Sequence, residues 1–119
     1  MMLCLCACGM SDVERLHGED ILRAFVNDTL TTPDVQYTIK YSKTGDVDIE
    51  LHVWPLNTSD EKKLAQIDAA TKELMLFAED TVRDYAYKQN IEVDDVTVTC
   101  TSATGEEYKS VNGNIIKTP

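Results

Sequence analysis

Apolar and polar residues alternate strictly in two consecutive stretches of the chain, residues 35–42 and 47–53. This period of two predicts two β-strands, each burying one face and exposing the other. Lys43-Thr44-Gly45 lies between them, and glycine suits the left-handed position that closes a short hairpin. Pro55 ends the second strand because proline lacks the amide hydrogen that a strand needs. A β-hairpin is therefore the most clearly defined unit of the predicted fold.

Helical signals lie on both sides of this hairpin. Ser11-Asp12-Val13-Glu14 has the spacing of a capping box, and apolar residues recur at helical spacing as far as residue 26. A longer helix is predicted from Thr58 or Ser59 to about Gln89, because its apolar residues fall on one stripe. Two helices and a hairpin predict a fold that contains both classes of element.

Two more strands are predicted near the end of the chain. Val96, Val98 and Cys100 alternate with three threonines, and residues 107–111 form a weaker strand. The tail from Ile115 either adds a short strand or frays. The sequence therefore predicts an α+β fold in the order α-β-β-α-β-β, with a mainly antiparallel four-stranded sheet and a long helix packed on one face.

Size and charge limit the organisation and the partners of the chain. A length of 119 residues with 43% hydrophobic residues predicts one globular domain, residues 9–119. Twenty-one acidic residues against eleven basic ones give a net charge of −10. No stretch of the sequence carries a basic patch, so nucleic-acid binding is not expected. Anionic lipid headgroups would repel the same surface.

Three cysteines alternate within an apolar run at the start of the chain. Leu5-Cys6-Ala7-Cys8, followed by Gly9, resembles the lipobox of bacterial lipoproteins. The resemblance implies that Cys8 carries lipid and attaches the protein to a cell membrane on the extracytoplasmic side. Only seven residues precede Cys8, fewer than an export signal contains, so we expect the signal-like segment 1–8 to be truncated and the true start to lie upstream of Met1.

Two other interpretations of the cysteines remain open. The run can form a buried apolar strand, because cysteine behaves as a small hydrophobic residue. It can also form a thiolate metal site completed by Cys100, which would make the chain a cytoplasmic protein with a metal- or redox-linked role.

Catalytic motifs are absent from the sequence: it has no glycine-rich phosphate loop, no nucleophile elbow and no pair of histidines at metal-binding spacing. His17 is expected at the surface. His52 shares the outward face of its strand with Glu50 and Asp48, which makes a small enzyme using Glu50 and His52 an alternative. We expect no catalytic residue, no bound metal and no cofactor.

The remaining candidate is a binding surface on the outward face of the sheet. Exposed tryptophan often marks a contact site, although threonine is also a common strand residue and Trp54 can tuck under a loop. Leu76 and Phe77 lie off the helix stripe and either pack under the first helix or form a patch for a protein partner. The candidate residues are Trp54, His52, Glu50, Lys40, Thr97, Thr99, Leu76 and Phe77. The leading hypothesis is a lipid-anchored, extracytoplasmic binding domain without catalytic activity.

Overall fold

The computed structural model describes residues 12–42 and 44–117, so the signal-like segment 1–8 with Cys8 lies outside the described residues. The α+β class is confirmed. Its elements in chain order are α1 (Asp12–Phe25), a π-helical segment (Val26–Leu30), β1 (Val35–Tyr41), β2 (Val47–Val53), α2 (Glu61–Lys88), β3 (Val96–Thr101), β4 (Glu107–Val111) and β5 (Asn114–Lys117).

The five strands form one mixed sheet in the order β1-β2-β3-β4-β5. The pair β2–β3 is parallel, and the other three pairs are antiparallel. The predicted number of four strands is wrong, because the tail pairs with β4 as a fifth strand. Asn112 and Gly113 have φ angles of 51° and 88°. These left-handed angles are those of a tight type I′ hairpin turn, which an Asn-Gly pair favours.

The parallel pair exists because α2 carries the chain back along the sheet. β3 therefore begins at the end of the sheet where β2 begins, and the amide of Val47 donates to the carbonyl of Asp95 at 2.8 Å. Parallel neighbours need such a crossover, whereas a short turn is enough for antiparallel ones. The helix has 28 residues, a length of about 42 Å, which exceeds that of the seven-residue strand β2. It is capped by Asp60 rather than by Thr58 or Ser59, since the Asp60 carboxylate accepts from the Lys62 amide at 3.0 Å.

The core lies between the helices and one face of the sheet, which we call the inner face. Leu22 and Val26 reach it from the first helical stretch, Met75 and Val82 from α2, and all four are fully buried. On the sheet side, the inward residues of β1, β2 and β3 form the other half of the same cluster. Burial of apolar surface at about 25 cal/mol per Å² is the main force holding both helices on this face.

Arg83 joins α2 to the β4–β5 turn. Its Nε donates to Oε2 of Glu79 at 2.9 Å, and its Nη2 donates to Oδ1 of Asn112 at 2.7 Å. The same Asn112 oxygen accepts from the amide of Val96 at 2.9 Å. The Glu79 side chain is only 8% exposed, so its carboxylate depends on Arg83 for compensation of its charge. We call Glu79, Arg83 and Asn112 the Arg83 clamp.

Replacing Arg83 with methionine should lower the free energy of unfolding by about 3 kcal/mol, because the buried Glu79 carboxylate then loses its cation. Urea denaturation measures the change. Lys88→Met is the matched control, because Lys88 forms an ion pair with Asp84 on the same helix, and both side chains are more than 60% exposed. Loss of this pair should lower the free energy of unfolding by less than about 1 kcal/mol. Equal destabilisation by the two variants would contradict the clamp.

Candidate functional site

The outer face of the sheet, opposite the helices, carries polar side chains in rows that run across the strands. In the central row, Thr38 of β1 is paired with Glu50 of β2. Glu50 is paired in turn with Thr99 of β3, and Thr99 with Lys109 of β4. The two flanking rows are Gln36, His52, Thr101, Glu107 and Lys40, Asp48, Thr97, Val111. Because strand alternation sends most apolar residues inward, the rows present mainly hydroxyl, amide and charged groups to solvent. Val111 and, on β5, Ile116 are the exposed apolar residues at the far end of these rows.

Two adjoining hollows lie along this face. The larger, of about 640 Å³, covers the central row and the row that contains His52. The smaller, of about 330 Å³, lies between the loop that follows β2 and the turn between β3 and β4. His52 and Thr101 line both hollows. We call the two together the outer groove.

Trp54 stands at the edge of this face and is 70% exposed, so it is not tucked under a loop. Its amide donates to the carbonyl of Asp34 at 2.9 Å, which extends the β1–β2 ladder one step past the strand end. In the alternation of β2 it follows His52 and Glu50 on the outward side. The alternation therefore places Trp54 two residues beyond His52, which lines both hollows, while Trp54 itself lines neither.

The sequence-derived candidates fall into two separate groups. Glu50, His52 and Thr99 line the outer groove, while Lys40 and Thr97 lie in the row beside it. The groove also includes Gln36, Glu107 and Lys109, which are not among those candidates. The alternation of β1 already places Gln36 on the outward side, whereas Glu107 and Lys109 join the face only because β4 lies next to β3.

Leu76 and Phe77 are not part of the outer face, because α2 packs against the inner one. They are 39% and 55% exposed, so they do not pack under α1. Leu76 instead lies near the β4–β5 turn. Its Cδ2 atom is 4.0 Å from the position that a Cβ atom would occupy on Gly113. The two helices meet elsewhere, through the stacked rings of Phe25 and Tyr85, whose centroids lie 3.9 Å apart.

The groups with shifted pKa values belong to the inner face. Burial raises the pKa of the Cys100 thiol to about 11, so the group is a neutral thiol at physiological pH. Burial, together with the hydrogen bond that its hydroxyl donates to Asp68, raises the pKa of Tyr108. To complete a thiolate metal site, Cys100 would have to leave the core and lose a proton against this preference.

Residue types that bind metals are scattered rather than grouped in this part of the chain. Over residues 12–42 and 44–117, no cluster of three or more histidine, cysteine, aspartate or glutamate residues could hold a metal ion.

Glu50 and His52 lie two residues apart on one strand face, which separates their Cβ atoms by about 7 Å. The site as built can accept and donate several hydrogen bonds along an open surface.

Compared with known proteins, the chain matches no family model, no curated protein and no solved structure. The function is therefore inferred from the geometry of the outer face.

Proposed function

We propose that the chain is a non-catalytic binding domain that holds a ligand in the outer groove and is attached to a cell membrane, on the extracytoplasmic side, by lipid on Cys8. One observation carries the binding part of the proposal. Both helices pack on the inner face, so that within residues 12–42 and 44–117 no element covers the outer face, which is shaped into two adjoining hollows. A concave surface with several convergent polar groups is the usual form of a ligand site.

The openness of the groove favours binding over chemistry. Glu50 and His52 are exposed to solvent. Electrostatic catalysis depends on preorganised groups in a site from which water is excluded. The threonine hydroxyls of the groove are weak nucleophiles unless a base activates them. Reversible hydrogen bonding is what these groups do well in water.

The lipid part of the proposal rests on the resemblance of residues 5–8 to a lipobox. The described helices include none that is both long and apolar enough to cross a bilayer. A net charge of −10 gives the domain no attraction of its own to anionic headgroups. Acyl chains supply that attachment, at about 0.8 kcal/mol for each buried methylene group. Cys8 lies four residues before the start of α1, so the domain would sit within about 14 Å of its anchor.

A photoreactive residue in the groove tests the binding face while the ligand is still unidentified. With benzoylphenylalanine at Thr99, irradiation of living cells should give an adduct whose mass identifies the bound compound, because Thr99 lies in the centre of the groove. Ala70, exposed on α2, is the control position and should give no such adduct. Failure at Thr99, or the same adducts at both positions, would contradict a ligand face on the sheet.

Mass spectrometry of the membrane fraction tests the anchor. The mature protein should begin at Cys8 with a thioether-linked diacylglycerol, and Cys8→Ser should release the protein from the membrane. Cys6→Ser is the matched control: it removes a neighbouring thiol but keeps the lipidated cysteine, so attachment should persist. Protein that retains residues 1–7 and an unmodified Cys8 would eliminate the anchor.

A further inference from the structure

We infer that the ligand of the outer groove is an uncharged saccharide chain, with one sugar ring stacked on Trp54. This inference rests on the proposed binding function and adds the chemical class of the ligand to it. Three properties of the outer face carry it: its balance of charge, its hydrogen-bonding groups and its exposed aromatic ring.

The balance of charge on the outer face differs from that of the whole chain. Its rows contain two lysines, Lys40 and Lys109, against three carboxylates, those of Asp48, Glu50 and Glu107. Most of the net charge of −10 therefore lies elsewhere in the chain. An anionic ligand would meet the negative field of the whole molecule. A neutral ligand avoids this penalty.

The hydrogen-bonding groups of the groove match the hydroxyl groups of a sugar. Thr38, Thr99 and Thr101 each supply a hydroxyl that both donates and accepts. Glu50 and Glu107 flank them with carboxylates, which accept from hydroxyl groups in short, charge-assisted bonds. A sugar ring offers several hydroxyls on neighbouring carbons, so it can engage threonine and carboxylate groups at the same time. A hydrocarbon or a lipid tail offers no hydrogen-bonding group to the threonine hydroxyls or to Glu50.

Trp54 supplies the apolar contact that a sugar needs. A sugar ring has a face of C–H groups, and the flat indole ring can cover it while the sugar hydroxyls stay hydrated or bound. Trp54 follows His52 by two residues, outside the lining of the two hollows, and its 70% exposure leaves the ring open to such a contact. Because His52 and Thr101 connect the two hollows, the groove is elongated and suits several linked rings better than a single one.

Nuclear magnetic resonance titrations of the ¹⁵N-labelled full chain, kept reduced, test this class of ligand. The uncharged probes are a β-1,4-linked N-acetylglucosamine tetramer and an α-1,4-linked glucose hexamer. The charged probes are a hexalysine peptide and a heparin tetrasaccharide. An uncharged saccharide should shift the amide signals of Thr38, Thr99 and Thr101, and Trp54→Ala should weaken its binding about tenfold, the effect of losing about 1.4 kcal/mol of stacking. Tyr87→Ala is the control, because Tyr87 is an even more exposed aromatic on α2, at 82% against 70% for Trp54, and should leave the affinity unchanged.

The other outcomes overturn the inference in distinguishable ways. If only hexalysine shifts the outer-face signals, the saccharide class is wrong, and if only heparin does, the uncharged character is wrong; in both cases the binding face stands. Saccharide binding that shifts signals elsewhere, or that Trp54→Ala leaves intact, contradicts the assigned position. If no probe binds, the saccharide class is rejected, and adducts at the Thr99 photoprobe then decide separately whether the face binds anything else.

Discussion

β2 and β3 run in the same direction, and this parallel pairing requires a connection that crosses the sheet from one end to the other. α2 is that connection, and its buried stripe commits it to the inner face. The first helical stretch packs on the same face, where Leu22 and Val26 join the core. With both helices on one side, the other side of the sheet has no covering layer among the described residues. The open face is thus a consequence of the chain topology rather than of any single side chain.

The composition of the two faces follows from this arrangement. Inward positions of the central strands, such as Ile49 and Val98, are almost completely buried. Outward positions are exposed or half-buried, so threonine, glutamate and histidine keep contact with water there. The Arg83 clamp fixes the last turn of the sheet against α2, which keeps β4 and its outward Lys109 beside β3. Core packing and the clamp together hold the groove-lining residues on a rigid support, as a pre-formed binding site requires.

Local patterns in the sequence predict the hairpin and its outward residues well. Alternation assigns each residue of β2 to a face, so it places Glu50 and His52 correctly on the outward side. Alternation does not tell which strand lies next to which, or in which direction, and it therefore cannot predict the parallel pairing or the five-stranded sheet. Asn112-Gly113 is a strong hairpin signal, and giving it more weight would have predicted β5. The Arg83 clamp joins residues 29 positions apart, a relation that no local pattern contains.

Solvent access to the methyl groups on the two faces can be measured directly by nuclear magnetic resonance with a soluble, uncharged gadolinium chelate. If the outer face is open, the chelate should strongly relax the methyl signals of Thr38, Thr99 and Thr101, while those of Val96 and Val98, on the inner face of the same sheet, remain sharp. Equal protection of the threonine and valine methyls would mean that another layer covers the outer face, and the proposed binding groove would not exist.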